Sequence, residues 1–297
     1  MPHPSSPSSR PPRGHRRAAV GVTALAASVA TLLSTGALTP PPAAATTAAA
    51  RPDSATADFL AQVRPRGAER VTAAVLDLDA PGRGTAVYGA DTAYDTASII
   101  KVDILAALLL DAQDAGRGLT AQERTRAEAM IERSDNAAAD ALWRSIGLAP
   151  GLEAANKRLG LTSTRGGPGA RWGLTRTTAS DQIRLLRAVF EPASGTSAGA
   201  GALTAQSRNY LRTLMSRVVD EQSWGVSVAA RTAVELKNGW LQRTTTGLWD
   251  VNSIGRVTAG GHRYLVAVLS DGSTSMKDGV SLVERAARTA ISSAATR

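Results

Sequence analysis

Ser98-Ile99-Ile100-Lys101 runs directly into the apolar stretch Val102 to Leu110, and the reading of this segment decides the fold. The run predicts a helix over 98–115, closed by Gly116. Ser98 then lies in the first turn with Lys101 three residues on, so a hydroxyl and an amine share one helix face. A helix that is apolar on nearly every side is buried, which places this one through the middle of its domain.

Outward from this helix the pattern changes on both sides. Upstream, Val71 to Asp79 and Thr85 to Tyr88 alternate as β-strands around a Pro-Gly-Arg-Gly turn at 81–84, a hairpin. Downstream, helices are expected at about 121–132, 137–146, 151–159, 178–190 and 204–217. A Gly-rich loop fills 163–177, and a low-complexity Gly/Ala/Ser turn covers 193–202. After Trp224 come strands at about 231–238, 248–257 and 263–270, then a helix at about 278–294. The order of hairpin, helical block, three strands and terminal helix predicts an α/β (α+β) fold. Its antiparallel sheet of about five strands is drawn from both chain ends and flanked by helices, with an all-helical lobe inserted over about 98–220.

The first 57 residues read differently. Residues 10–17 are basic, 18–38 are apolar and alanine-rich, and Pro40 to Pro42 precede small residues suited to cleavage. This predicts a secretory signal peptide over 1–45, of the general or twin-arginine type, and a secreted protein with no membrane association after cleavage. The alternative for 18–38 is an uncleaved membrane anchor. Residues 46–57, rich in Pro, Ala and Thr, read as a linker, and the folded domain is expected over 58–297. The formal charge is +9, but four arginines sit in the leader, which leaves 30 basic against 25 acidic side chains. With no basic cluster interleaved with aromatics, nucleic acid is not an expected partner. Cysteine is absent, excluding disulfides, thiolate metal sites and cysteine nucleophiles together.

The chemistry follows from which bases remain. Of His3, His15 and His262, the first two belong to the leader and the third reads as a solvated loop residue in a Gly-Gly-His turn. A Ser-His-Asp triad and a three-histidine metal site both fall away, and no metal or other cofactor is implied. Lysine is the base that is left, and there are only four: Lys101, Lys157, Lys237 and Lys277. Two further motifs single out the first and third of these, Ser134-Asp135-Asn136 after the 121–132 helix and Lys237-Asn238-Gly239 at the end of a strand.

S-x-x-K, then S-D-N, then a lysine-glycine motif, in that order, resembles the class A β-lactamases and penicillin-binding proteins over about 60–297. The resemblance implies Ser98 as nucleophile, Lys101 as base, Ser134 as proton relay to the leaving nitrogen and Lys237 as the second cation. It also implies that Asn136 binds the substrate amide, that Asn238 and Gly239 line the substrate site, and that the backbone N–H groups of Ser98 and Trp240 form the oxyanion hole. Trp240 rather than Trp172 is read as the cleft aromatic, from its place beside the third motif. Arg243 and Arg256 are candidates for a substrate carboxylate. The implied substrate is a β-lactam or a peptidoglycan-type peptide.

Two departures from the family pattern matter. Asn238 stands where the family has a hydroxyl residue that helps hold the substrate carboxylate. The family's deacylating glutamate would fall near Ala170, yet no acidic residue lies between Glu153 and Asp181. Losing a positioned general base costs about 10²–10⁴ in rate. Acylation through Lys101 with slow release is therefore expected, unless Glu153, Glu191 or Asp181 folds toward the cleft. The alternative class is a non-catalytic wall-binding protein that retains the fold.

Overall fold

The computed structural model describes residues 54–80, 82, 84–192, 199, 201–230, 232 and 234–296. The expected signal peptide, residues 46–53 of the expected linker and most of the 193–202 turn lie outside these residues. Ordered structure begins earlier than Asp58, because α1 covers Ser54–Val63. Phe59 and Val63 are buried, Ala55 and Leu60 pack half-buried beside them, and Phe59 stacks on Tyr88 at 5.5 Å. Its first residues, Ser54 to Asp58, carry no large apolar side chain and so give a weak periodic signal that reads as linker.

The sheet is antiparallel throughout, in the order β2 (Ala86–Tyr88), β1 (Arg70–Asp77), β7 (His262–Ser273), β6 (Trp249–Ala259) and β5 (Glu235–Gln242). β1 and β2 form the expected hairpin, while β5, β6 and β7 come from the C-terminal end. β7 joins the two groups by pairing with β1 from Arg70↔Asp271 to Asp77↔Tyr264. A short second ribbon pairs β3 (Tyr94–Asp95) with β4 (Arg176–Thr177), which ties the segment before Ser98 to the end of the Gly-rich loop.

Alternation along the strands separates two apolar layers. Ala74, Leu76, Leu265, Ala267 and Leu269 face one layer, and Val71, Ala73, Val75, Val266 and Val268 face the other. The second layer is covered by α1 and by α8 (Met276–Ala295), capped by Ser275. The first receives α2 (Ile100–Asp114), of which twelve residues are buried, Lys101 and Asp103 included. Around α2 pack α3 (Ala121–Glu132), α4 (Asn136–Ser145), α5 (Leu148–Leu159), α6 (Ala179–Phe190) and α7 (Ala205–Met215). Eight helices and a five-stranded sheet are thus present among the described residues.

β5 differs from its expected range in a way that bears on the site. The Lys237-Asn238-Gly239 motif lies in mid-strand rather than at a strand end, because β5 continues to Gln242. Gly239 does not break it. Its missing side chain lets the strand lie against the turn before α2, where a Cβ would sit 2.7 Å from the Ser98 nitrogen and 2.8 Å from both the Ile99 nitrogen and the Thr96 oxygen.

Candidate active site

Ser98 is carried on a single 3₁₀ turn, Ala97–Ile99, that leads into α2. Ala97, just before it, has φ of 46°, and Ser134 has φ of 56°. A left-handed backbone at a residue with a Cβ costs about 1–2 kcal/mol, so each conformation must be held in place by its surroundings. For the Ser98 turn the holders are visible. Asn252, buried on β6, donates from Nδ2 to the Asp95 carbonyl at 2.8 Å and the Thr96 carbonyl at 3.1 Å. The Thr96 nitrogen donates to the Thr175 carbonyl at 2.9 Å. Thus β6 and the Gly-rich loop grip the segment that presents Ser98.

Lys101 is fully buried, and its Nζ donates to the Ser134 carbonyl at 2.7 Å, the Ser134 hydroxyl at 3.0 Å and Asn136 Oδ1 at 2.8 Å. The first two motifs therefore meet at one amine. Burial pushes Lys101 down to about 7, against a smaller opposing pull from Asp135 and Asp140. Lys237, on the same sheet face as the α2 layer, is also fully buried; burial first and the Lys101 charge second hold it well below the usual lysine range. Its Nζ donates to the Asn238 carbonyl of its own strand at 3.0 Å. Among the described residues the Ser98 hydroxyl makes no hydrogen bond, so the expected Ser98–Lys101 pair is one helical turn apart but not bonded.

Two readings of the third motif need correction. In a strand successive side chains face opposite ways. Asn238 accordingly points away from the Lys237 side, and its Nδ2 donates to the Gln222 and Trp224 carbonyls, each at 2.8 Å. It pins the 222–224 segment. Trp240 shares the Asn238 face and packs on Trp224 with ring centroids 5.9 Å apart. The aromatic at the amine is Trp172, whose ring lies 4.8 Å from Lys101 Nζ. Arg243 and Arg256 are both engaged, the first by Asp95 and the second by Glu235.

Trp172 is held by Asp140, whose Oδ1 accepts the indole Nε1–H at 2.7 Å. Asp140 follows Asn136 by four residues on α4, so one helix face presents both the Lys101 contact and the Trp172 contact. Asp140 had escaped the sequence reading, although this spacing from the S-D-N asparagine was legible. The other acids weighed as a replacement base are engaged elsewhere. Glu153 accepts from the Gly166 nitrogen at 3.3 Å, and Glu191 pairs with Arg187 at 2.9 Å. Asp181 accepts from Ser163 N at 2.7 Å and Thr164 Oγ1 at 2.8 Å. His262 opens β7 and bonds Asp77 at 2.9 Å.

A half-buried serine on the turn into a central helix, beside a buried lysine and under a five-stranded antiparallel sheet, is the arrangement of the β-lactamase class of serine hydrolases. The chain belongs to the beta-lactamase enzyme family, whose family model matches residues 116–294. Solved structures share the fold. The TLA-1 extended-spectrum β-lactamase superposes with a TM-score of 0.68 at 16% identity, over 82% of this chain and 98% of that one. PBP-A gives 0.66 at 19% identity, over 82% and 96%. A class A β-lactamase from Bacteroides cellulosilyticus gives 0.66 at 17%, over 82% and 98%. No curated protein matches the chain.

Proposed function

We propose that this protein is an exported serine hydrolase that takes an acyl group onto Ser98 from a β-lactam or a related amide or ester, and that it releases that group slowly. The observation that carries the reading is the convergence of Ser134 and Asn136 on the buried Lys101 amine, under an indole rather than beside a loop carboxylate.

The steps follow from the groups present. Rotation of the Ser98 or Lys101 side chain brings hydroxyl and amine together. The amine, held near 7, accepts the Ser98 proton as Oγ bonds to the carbonyl carbon. The backbone N–H groups of Ser98 and Trp240 are the donors assigned to the developing oxyanion, in line with the close approach of β5 to the Ser98 turn at Gly239. The proton then passes from Lys101 through the Ser134 hydroxyl to the leaving nitrogen, the C–N bond breaks, and a serine ester remains. Hydrolysis of that ester needs a base for water, and the 163–177 loop carries none. A structural relative supports the chemistry, since a PBP-A variant was solved as an acyl-enzyme complex with penicillin G. Export is supported by the basic and apolar leader alone.

Intact-mass measurement after incubation with a panel of β-lactams and activated esters tests the proposal. The expected result is a stoichiometric adduct, absent in Ser98→Ala, that persists for many minutes after excess reagent is removed. Absence of an adduct with every reagent would leave a binding protein instead, and rapid loss of the adduct would defeat the slow-release half of the proposal.

A further inference from the structure

Where α6, α7 and the sheet meet, four arginines gather around one phenylalanine, and the chemistry at Ser98 uses none of them. Independently of that chemistry, we propose that this cluster is a binding site for a phosphate-type oxyanion, taken as a free ion or as an esterified phosphate group.

Three elements and the end of a fourth build the cluster. Phe190, buried at the end of α6, has the Arg256 guanidinium 5.0 Å and the Arg212 guanidinium 5.7 Å from its ring centroid. Arg212 follows Arg208 by four residues on α7, so the two share a helix face. On the sheet, Arg256 stands opposite Leu265 and Arg263 opposite Thr258, which makes the two arginines diagonal neighbours on one face. Ile254 and Leu265 point to the α2 layer, and by alternation Arg256 and Arg263 do too. The fields of Arg256, Arg208 and Arg263 all reach Arg212. Burial first and these charges after it hold its guanidinium below the usual arginine range, against an opposing pull from Glu235.

The carboxylates at this place are already engaged. Glu235 takes Arg256 with both oxygens, and Asp79 takes Arg263. Glu191 pairs with Arg187. Arg208 gives one N–H to the Leu203 carbonyl at 2.6 Å, and among the described residues neither Arg208 nor Arg212 forms an ion pair. Beyond the described residues the sequence holds a single acidic side chain, Asp53, next in sequence to α1, which packs on the α8 layer. Four guanidiniums thus face two carboxylates, Glu235 and Asp79, and three of the four, Arg208, Arg212 and Arg256, are half-buried. Partial burial weakens the screening of their repulsion, so the cluster is stabilised by taking up negative charge.

The excess of two positive charges selects the ligand. A guanidinium fork pairs with oxygen atoms two at a time. A carboxylate carries one charge and its two oxygens lie in one plane. A phosphate group carries up to two charges and turns its oxygens in several directions, which suits donors arriving from one helix and two strands.

Isothermal titration of the protein with inorganic phosphate and with glycerol 3-phosphate, at pH 7.5 and constant ionic strength in chloride, tests the site. One-to-one binding of at least one of them is expected, and the tighter of the two tells a free ion from an ester. Arg212→Gln is expected to weaken binding by about tenfold or more, and Arg208→Gln, expected to act likewise, carries the test if Arg212→Gln does not fold. Arg217→Gln, which removes an arginine paired with Glu132 beyond α7, should leave binding within about twofold of the parent. Thermal unfolding gives a second readout, since a bound anion raises the melting temperature of the parent. Without phosphate, Arg212→Gln should melt at or above the parent, relieved of repulsion, and it should gain nothing when phosphate is added. Absence of binding by both compounds, or equal binding in Arg212→Gln and Arg208→Gln, would overturn the proposal. So would an Arg212→Gln variant that melts below the parent by the same margin with and without phosphate, because Arg212 would then only pack on Phe190.

Discussion

Replacing Trp172 by alanine is the most informative single change in this site. The indole covers Lys101 at 4.8 Å, and burial is the leading reason that the amine is pushed down to about 7 from the usual 10.5. At pH 7 roughly half of an amine with that value is neutral and able to take the Ser98 proton. Full return to ordinary lysine behaviour would leave about one in 3,000 neutral, so the acylation rate at pH 7 could fall by ~10³ at most. Trp172 is one of several groups over the amine, and the expected loss is about ten- to a hundredfold. Desolvation of the amine outweighs the attraction of the ring face for the ammonium, and this sets the sign. Letting water reach Nζ favours the ammonium, the rising limb of the rate–pH profile moves from near 7 to higher pH by about one to two units, and the variant approaches the parent rate near pH 10. The assay is the second-order acylation rate by intact mass between pH 5.5 and 10. Trp172→Phe keeps the ring, loses the 2.7 Å bond to Asp140 and is expected to leave the limb within about half a unit of the parent. A Trp172→Ala variant that is slower at every pH with its limb unmoved would refute the reasoning, since the indole would then be packing and nothing more.

Other changes test the frame around Ser98. Gly239→Ala puts a Cβ within 2.7–2.8 Å of three backbone atoms of the Ser98 turn, and because backbone cannot swing aside, acylation should fall at least ~10²-fold with a lower melting temperature. Asn252→Ala strips the Asp95 and Thr96 carbonyls of a buried donor and should cost about 2–4 kcal/mol in denaturant unfolding. Asp103, fully buried on α2 with the amide nitrogen of Asn156 turned toward both its oxygens at 2.9 and 3.0 Å, is pushed up to about 8, by burial first. Its folded value exceeds its unfolded one, near 4, so the stability it contributes is complete below pH 4 and is lost as pH rises through 8. Asp103→Asn should remove that decline, which unfolding curves at pH 4, 6 and 8 would register as a parent that loses stability with rising pH and a variant that does not.

How much of this was legible in the sequence depends on the kind of signal. The central helix was, because Val102 to Leu110 is apolar on every side but for Asp103, and only a buried helix tolerates that. The sheet drawn from both ends was also legible, because three β-patterned runs and a hairpin flank the helical block. At the site, spacing of three residues along a helix placed Ser98 and Lys101 on one face, and the S-D-N segment lands on that amine. Motif reading did less well on β5. It treats Lys237, Asn238 and Gly239 as one unit, whereas the pleat sends Lys237 to the α2 side and Asn238, with Trp240, to the other. The Trp172 contact was beyond a linear reading, since it depends on how a Gly-rich loop folds back. Gly166 and Gly167 permit that fold, as a Cβ on the first would meet Ala149 at 2.4 Å and on the second the Arg171 carbonyl at 2.1 Å.

These elements make the loop change and the buried lysine a single arrangement rather than two. A carboxylate beside Lys101 would favour its ammonium form, as Asp135 and Asp140 already do weakly. An indole in that space does the opposite, since it removes water without adding charge and so keeps the amine able to take a proton. The same substitution supplies no oxygen to activate water at a serine ester. On the proposed reaction, gain in the first half-reaction and loss in the second would have one physical cause. It follows that Trp172→Ala should slow formation of the Ser98 adduct without shortening its lifetime by more than a few fold. If its lifetime instead collapsed, the indole would be a barrier to water already activated by another group, and Asp140, released from its bond to Trp172, would be the first residue to test by Asp140→Asn in that background.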